Sequence, residues 1–369
     1  MRTQDQYEIT AFEMTISVIS LIFGVGILFQ PSSLANALET PDGWMSLIVT
    51  GVISMGLVSI YSRLQKSFPG KSLFQYIESG ITAKIGVTFV GAAFIIYFIL
   101  VMAFQGRIFA VAIQMFLLYK TPTEVIVAVL LLMITYAETK GLQGIVHLNL
   151  LFTPIILVVL TVVLFSSVGL GDLDVNLPIM REGFTPILLG IMPSFYTLIG
   201  FLLIFFFMGK MKASTIKATP INIALAVVVL IQAFFVIFVQ STLGFESTKT
   251  LVFPAIGLVK EIEIPGQFFE RTESLFLTIW VISVFTSMAM NLWMTLYLLR
   301  SYYFKRKRSR WLTPAVIFIT YIVTFLPVTV EDTFQLGEWS GIVGVVAVSL
   351  AFIFAFITYR GARHHNRGA

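Results

Sequence analysis

The sequence predicts an all-α integral membrane protein of ten transmembrane helices in two inverted halves of five, with the first and sixth helices broken. Three observations carry this. The chain is 57% hydrophobic and only 12% charged over 369 residues, too few ionisable side chains to cover a soluble globule of that size. Apolar runs long enough to cross lipid recur from end to end. Helix-breaking residues then fall inside two of those runs, the first of each set of five.

A hydrocarbon core of ~30 Å needs about 20 helical residues. Runs of this kind occupy residues 9–34, 44–64, 86–119, 125–138, 142–168, 184–209, 216–243, 274–304, 311–330 and 334–359. The fourth is the shortest, and its polar flanks complete its length. The first residues carry Asp5 and Glu8 and lack a short apolar core ahead of small residues, so they do not read as a cleaved signal and the first span stays. The halves are 9–169 and 184–360 within a single transmembrane domain, 1–369. Residues 72–78 and 252–263 read as short helices lying at the membrane interface.

Orientation follows from the basic residues. Arg63, Lys66, Lys71, Lys84, Lys210, Lys212, Lys217, the tract Lys305 to Arg310, and Arg360, Arg363 and Arg367 fall on one side. Lys120, Arg181, Lys249, Lys260 and Arg271 fall on the other, among acids such as Asp172, Glu261 and Glu331. The positive-inside rule then sets both termini in the cytoplasm.

Composition also excludes function classes. There is no cysteine, so disulfides, thiolate metal sites and cysteine nucleophiles are out. The net charge of +5 is spread in short tracts between apolar runs and reports topology, not a nucleic-acid face. No phosphate-binding glycine loop, metal-binding histidine pair or nucleophile motif occurs, which predicts no cofactor, no metal site, no catalytic residue and no enzymatic role.

The first break is Phe23-Gly24-Val25-Gly26-Ile27. Two glycines one residue apart each lower helix propensity by about 1 kcal/mol relative to alanine. In lipid, an opened turn persists only where its polar groups face protein, water or a ligand. The sixth span carries Pro186, then Pro193-Ser194-Phe195-Tyr196-Thr197-Leu198-Ile199, then Gly200. Proline removes a backbone donor, and the glycine follows closely. Paired interruptions of this kind mark a mid-bilayer solute site in inverted-repeat transporters.

Four stretches add a resemblance: Gly24-Val25-Gly26-Ile27-Leu28, Pro69-Gly70-Lys71-Ser72-Leu73, the sixth-span stretch, and Phe268-Phe269-Glu270-Arg271 leading into Leu275-Phe276 and Trp280. In order and spacing the chain resembles the amino acid/polyamine/organocation superfamily, with its LeuT-like five-plus-five fold. Within it, the chain is similar to the B subunits of endospore germinant receptors. The resemblance covers essentially the whole chain. It implies a receptor in the spore inner membrane that binds a nutrient, an amino acid or a sugar, and acts with A and C subunits. It also implies that the third and eighth spans pack beside the broken pair.

The candidate ligand-binding residues are therefore Phe23, Gly24, Val25 and Gly26; Tyr97 and Val101, with Gln105 near them; Phe195, Tyr196, Leu198 and Ile199; and Thr286 and Ser287. The hydroxyls and amides can bond a small polar ligand or a neighbouring helix. Thr286-Ser287 also stands where LeuT-like sodium transporters place a hydroxyl pair. Arg107 is expected to pair with an outer acid such as Glu273 in preference to a substrate carboxylate, and His147 to be a satisfied histidine in preference to a proton relay with Asn149. No acid is expected within the pocket, so the ligand's charge is left open. So is the choice between a receptor and a proton- or sodium-coupled amino acid transporter.

Overall fold

The computed structural model describes residues 7–24, 26–80, 83–262, 272–304 and 309–365. Helices supply the regular structure, with no strand among the described residues. α1 (Ala11–Phe23) opens on a capping box: the Thr10 hydroxyl accepts from the Glu13 amide, and the Glu13 carboxylate accepts from the Thr10 amide at 2.8 Å. α2 (Gly26–Leu38) continues at 55° to α1. Val25, between them, lies outside the described residues.

The remaining helices are α3 (Gly43–Gln65), α4 (Leu73–Glu78), α5 (Ala83–Phe116), α6 (Thr123–Thr139), α7 (Gly141–Ser166), α8 (Thr185–Leu189), α9 (Ile191–Leu198), α10 (Ile204–Phe207), α11 (Ala218–Leu243), α12 (Phe245–Thr250), α13 (Pro254–Lys260), α14 (Thr272–Leu298), α15 (Ser309–Thr324) and α16 (Val330–His365). Seven stretches are long and apolar enough to cross a bilayer: α3, α5, α7, Thr185–Lys210, α11, α14 and α16; the bent pair α1 and α2 passes the same test together. α6 and α15 are shorter, at 17 and 16 residues.

The sixth predicted span behaves differently from the expectation of one clean break. It runs helically from Thr185 to Lys210, passing through α8, α9, a 3₁₀ stretch at Ile199–Leu203, and α10. Both prolines fall in first turns, Pro186 of α8 and Pro193 of α9, where a helix has no intrahelical partner for the missing N–H. The two short helices expected at the interface pack against the bundle. Leu73, Phe74 and Ile77 of α4 and Ala255, Leu258 and Val259 of α13 are fully buried. Apolar side chains on more than one face of so short a helix are better covered by protein than by the headgroup region.

Packing follows a repeated scheme. α6 and α7 pack on α14 as α15 and α16 pack on α5; α7 packs on α1 as α16 packs on α9; and α3 lies against α11. At the α4 end, rings from several helices interlock. Phe206 lies 5.3 Å from Phe74, 5.4 Å from Phe94 and 5.6 Å from Phe98, in tilted or edge-on contact, and all four are buried.

The two interrupted stretches are tied together along their length. The Ile9 amide donates to the Lys210 carbonyl at 3.0 Å, and Lys212 pairs with Glu8 at 3.5 Å. Higher up, Gln30 Nε2 donates to Thr197 Oγ1 at 2.8 Å. Between them Gly200 sits against the α1 backbone: a Cβ there would lie 3.0 Å from the Ile22 nitrogen, so only glycine permits this approach.

Candidate binding cavity

A cavity of about 690 Å³ lies between α1, α2, α5, the Ile191–Leu203 stretch and α16. That is the size of sites that enclose small organic molecules. Its mouth is at the end of the bundle that carries α12, where Lys249, Thr250, Leu251 and Val252 reach its rim beside Val330 and Glu331. Toward the α4 end, the aromatic layer around Phe206 closes the bundle.

The walls are aromatic with polar points. Phe29, Tyr97, Phe104, Tyr196 and Phe334 line the cavity, and Phe29 packs edge-on against Phe104 and Phe334 at 5.4 Å each. Gln105 and Asn291 also line it, both buried, each with a side-chain oxygen that has no protein partner among the described residues. Gln105 Nε2 meanwhile donates to Ser287 Oγ at 3.1 Å.

Of the residues singled out from sequence, Gly26, Tyr97, Val101, Tyr196 and Ile199 are in the wall. Phe23, Gly24, Phe195, Leu198, Thr286 and Ser287 are not among its lining residues, and Val25 lies outside the described residues. Phe23 and Leu198 are buried in the apolar core, and the Phe195 ring packs edge-on against Phe201 at 5.8 Å.

Thr286 and Ser287 belong to a separate polar cluster behind the wall. Ser20 Oγ donates to Asn149 Oδ1 at 3.1 Å and lies 3.1 Å from Thr286 Oγ1; Asn149 Nδ2 reaches Ser17 Oγ at 3.5 Å. A Cβ at Gly24 would lie 2.5 Å from Ser287 Oγ, so the bare glycine lets α14 approach α1. Gln105 bridges this cluster and the cavity.

Among the lining residues missed from sequence are several on α16. Glu331, Phe334, Gly337, Glu338 and Ser340 all line the cavity. A Cβ at Gly341 would lie 2.1 Å from the Tyr196 ring, and one at Gly337 would lie 2.8 Å from the Phe104 ring. The wall aromatics thus lean into a glycine row. Acids and glycines recurring on one helical face around Phe334 were the available signal.

Two acids that the sequence reading did not single out, Glu331 and Glu338 of α16, line the cavity and are exposed. Arg107 also differs from expectation. Its Nη1 donates to Thr123 Oγ1 at 3.4 Å and its guanidinium lies 5.3 Å from the Phe325 ring, a cation–π contact and not a pairing with Glu273. His147 packs edge-on against Tyr7 at 6.3 Å.

At the rim, Lys249 donates to the Glu39 carboxylate, which holds its ammonium above the ordinary lysine pKa. Asn36 Nδ2 donates to the Lys249 carbonyl at 2.9 Å, joining α2 to α12.

A family model described as spore germination protein matches residues 8–333. The chain belongs to that spore germination protein family. Among its relatives are spore germination protein GerLB of Bacillus cereus, 27% identical over 97% of this chain and 96% of that one, and spore germination protein A2 of Bacillus subtilis (strain 168), 26% identical over 96% of each. Spore germination protein YndE of the same strain is 26% identical over 90% of each chain.

Solved structures show which fold this family member has. A substrate-bound, outward-open Na⁺-coupled sialic acid symporter superposes with a TM-score of 0.68 at 13% identity, covering 96% of this chain and 82% of that one. The nucleobase-cation-symport transporter MHP1 in a closed conformation gives 0.64 at 12% identity, covering 95% and 78%. The architecture is that of LeuT-fold transporters.

Proposed function

We propose that this family member is the membrane-embedded receptor subunit of a germinant receptor, which binds a small nutrient in the α16-walled cavity and passes the binding event to A and C subunits in the spore inner membrane. The observation that carries the reading is a solute-sized cavity in a chain of the spore germination protein family.

On this reading the chain makes ten spans: the bent first pair, the seven long stretches, and α6 and α15, with α8 to α10 forming the sixth. That count is one more than the sum of pair, long stretches and one short helix alone, and the repeated packing of α6, α7, α15 and α16 supports two inverted halves. Both termini are cytoplasmic, so the cavity opens outward and the α4 end faces the core of the spore. Gly26, Tyr97, Val101, Tyr196 and Ile199 contact the ligand, while Phe23, Gly24, Val25, Phe195, Leu198, Thr286 and Ser287 support those contacts from behind the wall. A ligand acts on such a receptor only through its differential affinity for two arrangements of the bundle.

A second reading has an observation of its own: the structural neighbours include symporters, so the same cavity could deliver an amino acid across the membrane with a proton or sodium ion. Thermal stabilisation of the detergent-purified chain across amino acids, sugars and salts separates the two when followed by flux in proteoliposomes. Stabilisation that disappears in Gly26→Leu, without flux, is the expected result, because a Cβ at position 26 already lies 2.9 Å from Thr197 Cγ2. Gradient-driven flux would make the chain a transporter.

A further inference from the structure

We infer that the cavity is built for a positively charged nitrogen, with Glu338 as its counter-ion, so that the ligand is a cationic amine or guanidine with an apolar body. The inference rests on the small-solute reading above and names the chemical class of the solute.

Glu338 carries the argument. It lies in the cavity wall on α16, just ahead of that helix's apolar run over residues 341–358. Position is not explained by the helix end. Eight residues past Val330, it is beyond the first turn of α16, where the helix dipole favours acids. The cap of α16 is made by other groups: the Thr329 amide donates to Asp332 Oδ2 at 2.9 Å and the Asp332 amide to Thr329 Oγ1 at 3.0 Å. No ion pair holds Glu338 among the described residues, whose salt bridges join Lys212 to Glu8, Lys249 to Glu39 and Arg300 to Glu138. It is exposed and lines the cavity.

Four further features agree. Glu331, seven residues earlier on the same helix, lines the cavity on the same face about 10 Å away, so a cation approaching from the mouth meets a carboxylate first there and then at Glu338. Among the described residues, the one basic side chain in the wall, Lys249, is already engaged by Glu39 and does not compete for the acids. The unpartnered oxygens of buried Gln105 and Asn291 accept hydrogen bonds, as an ammonium or guanidinium requires. The surrounding rings of Phe29, Tyr97, Phe104, Tyr196 and Phe334 present the π-faces that attract cations once water is excluded. An anion would face two carboxylates. A neutral sugar would gain no ion pair from either.

The test uses matched probes on the full chain in lipid nanodiscs, read by thermal unfolding against probe concentration. Cadaverine and 1,5-pentanediol have the same carbon chain and differ in charge; lysine and norleucine form a second pair. Cadaverine and lysine should raise the midpoint at concentrations where pentanediol and norleucine do not. Glu338→Gln should weaken cadaverine at least ~10-fold, the scale of one charge-assisted contact, and Glu338→Asp should retain most of it. Equal response to both members of each pair, or unchanged cadaverine affinity in Glu338→Gln, would overturn the cation assignment and leave a small-solute cavity standing. No response to these probes, alanine or glucose would overturn the small-solute reading along with it. Should Glu338→Gln fail to give monodisperse protein, the paired probes on the unaltered chain decide alone.

Discussion

The two ends of the bundle are built from the same aromatic-rich composition and put it to opposite use. Around Phe206 the rings of α4, α5 and α10 fill the space between them and no polar group interrupts the contact. Around Tyr196 the rings lean back against glycines of α16 and leave a cavity with acids at its edge. The difference is one of backbone spacing: where a neighbouring helix offers a glycine the ring is drawn away from the axis, and where it offers another ring the gap closes. A closed end resists change and an open end accommodates a guest, which is what a one-sided binding site requires.

The contrast can be broken most strongly at the closed end. Phe206→Ala removes a fully buried ring from a contact with three others, and should cost about 3 kcal/mol, measured as a shift in the unfolding midpoint in a denaturant series. Ligand affinity at the cavity should change far less than stability. A drop in affinity as large as the drop in stability would mean that the two ends are not separable.

Gly341→Ala sharpens it at the open end. The added methyl would overlap the Tyr196 ring and push it into the cavity, at a stability cost of about 1–2 kcal/mol typical of overpacking. Ligand-induced stabilisation should fall sharply while the apo midpoint moves only a few degrees; an unaltered response would show that Tyr196 has somewhere else to go. The smallest effect belongs to the polar cluster behind the wall. Ser20→Ala loses its contacts to Asn149 and Thr286, worth about 1 kcal/mol between membrane helices, and should leave ligand response intact.

The fold was legible because lipid leaves no alternative: each crossing must be a long apolar helix, and those lengths are visible in the residue order. The site was legible in part. Gly26, Tyr97 and Tyr196 could be singled out because glycine and aromatic residues stand out inside apolar runs. Thr286 and Ser287 were drawn in by their hydroxyls, but the face of α14 that carries them looks toward Ser20 and Asn149, and a one-dimensional reading cannot tell which neighbour a helix face meets. Glu331 was read as an outer-loop acid, whereas the helix begins at Val330 and includes it; Glu338 stood inside the run 334–359, but nothing in the residue order showed that its face of the helix lines the cavity. The sixth span was expected to break on its prolines, yet proline in a first turn removes no hydrogen bond.

The ties between α1 and the Thr185–Lys210 stretch have a mechanical consequence. Joined at the α4 end through Ile9 and Lys210, pressed together at Gly200 and Ile22, and linked above by Gln30 and Thr197, the two interrupted helices form a yoke. A guest that tilts one arm must carry the other with it, so a displacement begun beside Tyr196 arrives at the opposite membrane face as a movement of two chain segments together, presenting any neighbour there with a paired signal from a single occupied cavity.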